Sequence, residues 1–375
     1  MIFYISLSFL IIYLFFLFRF MKSFYMENIS NLEFDKSNDN SSFSNLSVSI
    51  IIVARNEEKN IKNLIEALLN QNHNFENIEI ILANDQSTDN TENIFKYYSD
   101  SYNFIHYFNV EDRENAISPK KNALKQAISR ATGDIILLTD ADCIPSKNWI
   151  RSHISMYQQY PDTDMVAGFS KTLQNEASIE NKDSFFTKIV KQFEHNDFLI
   201  LMLAAQSAIQ GKRPFSCSGQ NLSYKKQAFN DVNGFSVIDK FISGDDILLM
   251  QKFVKANKII RFAAYFDCYT ETYPVNSFRE LINQRARWAS NLRPMLYMNP
   301  IFFMYLLTCF VCIGLMPLFA FYFYLIKILF DYIFIKKGLT HWGIKNKLAL
   351  WYIISPVYIL IVSFLGIFSV YRWKK

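Results

Sequence analysis

The two ends of this chain hold stretches that a soluble core of this size cannot absorb. Residues 1–18, MIFYISLSFLIIYLFFLF, carry no charge. At about 1.5 Å of rise per helical residue they approach the ~30 Å hydrocarbon thickness of a bilayer. Arg19 and Lys22 follow directly. A cleaved leader would put positive charge first and small residues after the apolar run. The pattern therefore predicts an uncleaved anchor over 1–22, its basic flank on the cytosolic side. From Pro300 the chain turns apolar again, and IFFMYLLTCFVCIGLMPLFAFYFYLIKILF (301–330) has Lys327 as its only charge. A continuous helix there would measure about 45 Å, long for one crossing, so Gly314 and Pro317 predict two helices with a tight turn between them. LALWYIISPVYILIVSFLGIFSV (348–370) makes another span, giving two or three C-terminal helices over 299–371. The basic loop KKGLTHWGIKNK and the basic tail YRWKK flank this last span, and the charge rule cannot be met at both.

Between these ends, MENISNLEFDKSNDNSSFSN (26–45) reads as part of a polar linker over 23–46. Strand and helix signals then alternate. VSIIIVA (48–54) and IEIILAN (78–84) are short buried-strand runs. Between them Ile61, Leu64, Ile65, Leu68 and Leu69 recur at helical spacing. STDNTENIFKYY starts a second helix with Ser87 or Thr88 as its cap, followed by the strand FIHYFNV, the helix SPKKNALKQAISRA and the strand DIILLTD. Such βαβα alternation predicts an α/β fold, a mostly parallel sheet between helices. Ligands in such sheets bind beyond the carboxyl ends of the strands, where Asp85, Asp140 and Asp142 fall. The net charge of +5 is too mild to argue for nucleic acid. Five scattered cysteines imply no disulfide framework, and Cys309 and Cys312 lie in an apolar run where a reactive thiolate is disfavoured.

Five constellations carry chemistry. Asp140 and Asp142, in LLTDADC, are two close carboxylates that a divalent cation would relieve; Mg²⁺ or Mn²⁺ takes few carboxylates and fills its shell with phosphate and water. The plainer alternative is an acidic turn. Asp85, in LANDQSTDNT, suits either an Asx turn or hydrogen bonds from a base or ribose. Lys120 and Lys121 open a helix, where the dipole disfavours cations; a nearby anion such as a diphosphate would account for them, and a solvated charged face is the plainer alternative. Asp245 and Asp246, after Gly244, are either ordinary N-terminal acids or a general base. Upstream of them, CSGQNLSYKK places Gly219, Gln220 and Asn221 where a sugar could approach. Last, FRELINQRARWASNLRPML combines Leu281, Ile282, Ala286 and Ala289 with Arg279, Arg285, Arg287 and Arg293. That is an amphipathic interface helix with snorkelling arginines, and Arg287 also suits bidentate phosphate binding.

Taken in order, SIIIVARNEEKNI, NDQSTD, PKKNAL, TDADC, SGQNLSYKK, GDD and QRARW resemble the membrane-anchored family 2 glycosyltransferases, of the cellulose-synthase-like and poly-N-acetylglucosamine-synthase-like kind. The resemblance implies a GT-A, Rossmann-like transferase domain over 47–278, an interface helix over 279–298, and flanking transmembrane helices. It implies an inverting transfer from a nucleotide-diphospho-sugar, usually a UDP-sugar, to a lipid, a lipid-linked glycan or a polysaccharide at the cytosolic membrane face. Asp85 would bind the base and Asp140 the nucleotide, with Ala54, Asn56, Glu57, Lys120 and Arg287 also on the donor. Asp142 would ligate Mg²⁺ or Mn²⁺, Asp246 would be the general base with Asp245 beside it, and Gln284 and Trp288 would close over diphosphate and acceptor. Gly219, Gln220 and Asn221 would line the acceptor side. Asn84 stands where this family often has Asp. A ceramide-glucosyltransferase-like glycolipid synthase shares much of the pattern, and a non-catalytic subunit of a polysaccharide-assembly complex is the alternative from a different class.

Overall fold

A computed structural model describes residues 1–26, 46–174, 183–264, 268–345 and 347–370. Most of the expected linker and the tail YRWKK lie outside these residues. In chain order the elements begin with α1 (Ile2–Met26), β1 (Val48–Ala54), α2 (Ile61–Leu69), β2 (Ile78–Asn84), α3 (Thr91–Ser101), β3 (Ile105–Asn109), α4 (Pro119–Arg130) and β4 (Ile135–Leu138). They continue with β5 (Cys143–Pro145), α5 (Trp149–Gln159), β6 (Met165–Thr172), α6 (Phe185–Gln210), β7 (Leu222–Lys225), α7 (Lys226–Asp231), α8 (Ile247–Lys255), β8 (Ile260–Ala263) and β9 (Tyr269–Thr272). Last come α9 (Phe278–Ala289), α10 (Leu292–Met298), α11 (Pro300–Cys309), a π-helical turn (Phe310–Leu315), α12 (Met316–Phe319), α13 (Phe321–His341) and α14 (Ala349–Ile367).

The chain divides into two compact units, a sheet unit of Ser30–Lys171 and Ser216–Tyr273 and a helical unit of Met1–Ile29, Thr172–Phe215 and Pro274–Lys375. The single sheet domain expected over 47–278 is therefore interrupted, because Thr172–Phe215 groups with the terminal helices. The reason is α6, whose apolar residues pack on α1, α13 and α14.

The sheet runs β3-β2-β1-β4-β7-β6-β9-β5, with β8 paired to β6. Its first four strands are parallel, Val48 facing both Ile78 and Ile135. β1, β2 and β4 are the Val/Ile/Leu-rich runs, buried on both faces as parallel strands between helices must be, while β3 at the sheet edge keeps only Ile105 fully buried. Ile61, Leu64, Ile65 and Leu68 of α2 are fully buried against them. Each such side chain contributes roughly 1.5–3 kcal/mol of transfer free energy. β7 then joins antiparallel between β4 and β6. The turn after β2 departs from expectation: α3 starts at Thr91, with Asn90 in the capping position, and neither Ser87 nor Thr88 caps it.

Among the described residues of the helical unit, three helices are long and apolar enough to cross a membrane: Ile2–Phe24, Pro300–Phe319 and Ala349–Ile367. The expected turn at Gly314 and Pro317 does not occur. Proline lacks the N–H that would bond the carbonyl four residues back, and the widened π-helical turn before Pro317 keeps the helix continuous. The chain breaks instead at Ala320, with φ −150° and ψ 53°. α9 lies close on α14, where a Cβ added at Gly366 would meet the Ala289 Cβ at 2.5 Å.

α13 carries a buried ion pair, Lys327 Nζ to Asp331 Oδ2 at 2.5 Å, with side chains 0% and 3% exposed. Tyr13 of α1 donates its hydroxyl hydrogen bond to Asp331 Oδ1 at 2.8 Å. Replacing one partner strands the other charge in an apolar surround, whereas replacing both leaves packed hydrocarbon. Asp331→Ala is therefore expected to lower stability by about 3–5 kcal/mol, and the Lys327→Leu/Asp331→Leu double variant to stay near the wild type. Thermal unfolding of the detergent-solubilised chain measures both; equal losses in the two variants would contradict the account.

Candidate active site

The site forms where β1, β2 and β4 end. Asp85 follows β2 directly, and its backbone N–H donates to Ala54 O at the end of β1. Its side chain is buried, and Arg113 Nε lies 3.0 Å from Oδ1. That approach is electrostatic and off the line of a hydrogen bond. Among the described residues Asp85 Oδ1, Arg113 Nε, and Arg55 Nε and Nη1 are all buried without a hydrogen-bond partner. Unpaired buried polar atoms are unfavourable by roughly 1–3 kcal/mol each, so a cluster of them marks a place built for a polar ligand. Burial pushes the Asp85 carboxyl up to about 6 against the pull of Arg55. Arg55 and Arg113 went unseen in the sequence. Arg55 stands next to the expected donor residue Ala54, and Arg113 in an acidic loop, GluAspArgGlu, whose one cation is the signal available.

The flanking loops are tied to each other. Asn56, at φ +55°, accepts from Thr88 N at 2.8 Å and donates its own N–H to Ser87 Oγ at 3.1 Å. Glu57 N donates to Thr91 Oγ1 at 2.9 Å. Ser87 and Thr88 therefore hold the β1 loop in place. Asn84 donates to Asn109 Oδ1 at 2.7 Å and accepts from Ser87 N at 3.1 Å, so an amide at this position serves the turn itself.

Lys120 joins two acids from distant parts of the chain. Its Nζ lies 2.8 Å from Asp140 Oδ1 and 2.9 Å from Asp245 Oδ2. Burial opposes its charge, but the two carboxylates outweigh that and raise its pKa well above the usual lysine value. Lys121 is different. It is buried, and its Nζ donates to Phe241 O at 2.5 Å and Ser243 O at 2.8 Å. It braces the loop that leads to Gly244, which takes φ +84°. Burial lowers the Lys121 pKa to about 8.

Asp246 caps α8, accepting from Ile247 N at 2.6 Å and from Gly219 N at 2.9 Å. Burial and the neighbouring Asp245 charge push its carboxyl above the ordinary range, against Lys120 and those two donors. Burial works to raise Asp245 as well, but Lys120 and Lys121 hold it below the ordinary range. Two adjacent carboxyls are thus driven apart, one anionic and one poised to take a proton.

Gln220 Oε1 is buried and without a partner among the described residues, as an atom awaiting a ligand would be. Asn221 corrects its expectation. It is 0% exposed and fully engaged, accepting at Oδ1 from Trp149 Nε1 (3.0 Å), with His153 Nε2 at 2.7 Å, and donating to Phe169 O at 2.8 Å. It holds β7 to its neighbours and cannot reach a sugar. Burial drives the pKa of His153 down to about 4, keeping it neutral inside this network.

Asp142 is partly exposed just beyond Asp140. Among the described residues no three His, Cys, Asp or Glu side chains gather into a metal cage. A hard cation held by one or two carboxylates and completed by phosphate and water fits this donor set. Gln284, Arg287 and Trp288 lie in the helical unit, at i, i+3 and i+4 on one face of α9. Arg285 beside them does not snorkel. It is 4% exposed, its Nε donates to Asp197 Oδ2 at 2.9 Å, and its guanidinium stacks 4.0 Å from the Trp288 ring centre. Asp197 also accepts from Tyr358 Oη at 3.1 Å.

A family model described as glycosyl transferase family 2 matches residues 49–232. The chain is 30% identical to glycosyltransferase GlyG of Streptococcus pneumoniae over 224 residues, 57% of this chain and 67% of that protein. It is 36% identical to the probable glycosyltransferase YdaM of Bacillus subtilis over 100 residues, 27% of this chain and only 24% of YdaM's length. Among solved structures, the mannosyltransferase PcManGT from Pyrobaculum calidifontis, in complex with GDP-Man and Mn²⁺, matches with a TM-score of 0.52 at 14% identity. That likeness covers 88% of this chain and 89% of PcManGT, and at such identity it speaks to the fold.

Lys121 offers a test of how the site is braced. Lys121→Met removes donors from two buried carbonyls, each worth roughly 1–3 kcal/mol when left unpaired. Amide hydrogen exchange over 241–246 is expected to speed up while β1 and β4 stay protected; unchanged exchange in that loop would remove Lys121 from this role.

Proposed function

The chain belongs to glycosyltransferase family 2, and on that premise we propose that it moves a sugar from a UDP-sugar to a lipid, lipid-linked glycan or polysaccharide, inverting the anomeric carbon. The observation that supports this best is Lys120 holding Asp140 and Asp245 together, with Asp246 next to them, at the carboxyl ends of parallel strands. The three apolar helices support a membrane association, with the sheet unit facing the cytosol.

The mechanism follows from charge. Asp85 accepts hydrogen bonds from the base, with Arg55 and Arg113 beside it. Ala54, Asn56 and Glu57 shape the rest of the nucleotide cleft. Asp246, its affinity for protons raised, takes the proton of an acceptor hydroxyl, whose oxygen attacks the anomeric carbon from the face opposite the diphosphate. The bond from that carbon to the phosphate oxygen breaks, and the nucleoside diphosphate leaves with the electron pair. Asp246 then returns its proton to solvent. Lys120 and Arg287 stabilise the charge that develops on the leaving group. Asp142 would hold Mg²⁺ or Mn²⁺, which would supply further neutralisation of the diphosphate. Gln284 and Trp288 close over diphosphate and acceptor, and Gly219 and Gln220 face the acceptor.

Purified chain in detergent, given a panel of UDP-sugars and extracted membrane lipids, is expected to release UDP faster with Mn²⁺ and to yield product heavier by one or more sugars. No release with any donor would favour a non-catalytic subunit. Asp246→Asn should lower transfer by about a hundred- to ten-thousand-fold while leaving donor binding intact. Asp142→Ala should lose the metal dependence of donor binding, and binding that responds to Mn²⁺ as before would refute that ligand.

The pH profile gives an independent check. Transfer falls as pH drops through the raised Asp246 value, because the base is then protonated. Removing the neighbouring negative charge in Asp245→Asn should move that acid limb to lower pH. Removing the positive charge in Lys120→Gln should move it to higher pH. Limbs that stay in place in both variants would assign the base elsewhere.

A further inference from the structure

One cavity in the helical unit lies outside everything described so far. It measures about 120 Å³ and is walled by Phe15, Phe16 and Phe20 of α1 and by Phe215. Arg19 and Arg213 line it as well. Arg19 is half-buried and Arg213 exposed, and among the described residues neither has an ion-pair partner. Among the described residues that line the cavity none is acidic, so the charge its lining carries is positive. Positive charge is favourable after the last turn of α6, which accounts for the sign of Lys212 and Arg213. It does not account for two guanidinium groups sharing one aromatic-walled cavity.

The cavity's place on α1 decides what it suits. Arg19 lies five residues before the end of the apolar run Ile2–Phe24, where a spanning helix would leave the hydrocarbon for the headgroup layer. A ligand at that depth meets hydrocarbon on one side and headgroups on the other. Aromatic rings suit a methylene chain, and a pair of guanidinium forks suits the oxygens of a phosphate. We infer that this cavity holds an anionic phospholipid, its phosphate between Arg19 and Arg213 and its chain against Phe15, Phe16, Phe20 and Phe215. The site is a lipid-binding site of the helical unit and does not depend on the transferase chemistry of the sheet unit.

The full chain is reconstituted into nanodiscs of phosphatidylcholine containing a minor share of phosphatidylglycerol, extracted, and analysed by native mass spectrometry for retained lipid. The wild type is expected to retain phosphatidylglycerol well beyond its share. Each guanidinium is worth about five-fold in this preference, so Arg19→Gln/Arg213→Gln should lose about 25-fold. Arg213→Gln alone, at an exposed position, should lose about five-fold. Retention of phosphatidylglycerol by the variants as by the wild type would overturn the proposal, as would retention of the two lipids by the wild type in proportion to their shares in the nanodisc. Displacement of phosphatidylglycerol by millimolar inorganic phosphate would show a free-anion site and overturn it equally.

Discussion

The site depends on one ammonium group. Asp140 lies just beyond β4 in the first half of the sheet unit, and Asp245 just before the cap of α8, more than a hundred positions later in sequence. Two carboxylates drawn to one point repel each other unless a cation lies between them. Lys120 turns that repulsion into a bridge. Its neighbour Lys121 makes the second tie, to the carbonyls of Phe241 and Ser243. Two lysines at a helix N-terminus are unfavourable by the helix dipole alone. What holds them there is what they hold: one gathers the acids, and the other fixes the loop that presents them.

The framework of the sheet unit was legible because its signals are local. Val/Ile runs bounded by turns, and apolar residues at helical spacing in α2, depend on neighbours in sequence, and β1, β2, β3 and β4 lie where those patterns put them. The acids at the strand ends were legible for the same reason, through the parallel topology. What stayed hidden depended on partners far along the chain. Asn221 looked like a loop amide, yet Trp149, His153 and Phe169 close around it. Arg285 looked like a snorkelling residue, yet Asp197 lies 88 positions upstream and takes it inside. Arg55 and Arg113 have long side chains whose direction no spacing rule sets. Ser87 and Thr88 are good capping residues by type, but Asn56 reaches them first.

The helical unit shows the same division. Hydropathy located its apolar runs. The break at Ala320 rather than at Gly314 and Pro317 reflects how a π-helical turn absorbs a proline, which composition does not reveal. Thr172–Phe215 falls inside the expected domain over 47–278, yet it groups with the terminal helices through the packing of α6, which composition does not reveal.

The contact at Gly366 has a mechanical consequence. With only a hydrogen there, α14 presses its backbone against Ala286 and Ala289 of α9, and Asp197 clamps Arg285 and Tyr358 from a third helix. Helix α9 therefore has little freedom to pivot separately from α14. Where α14 crosses a bilayer, its packed neighbours set its inclination, and a mismatch with the lipid thickness is met in part by tilting the packed helices together. A thinner or thicker membrane would then tip Trp288 and Arg287 along with it, turning the bilayer's elastic state into a position of the tryptophan.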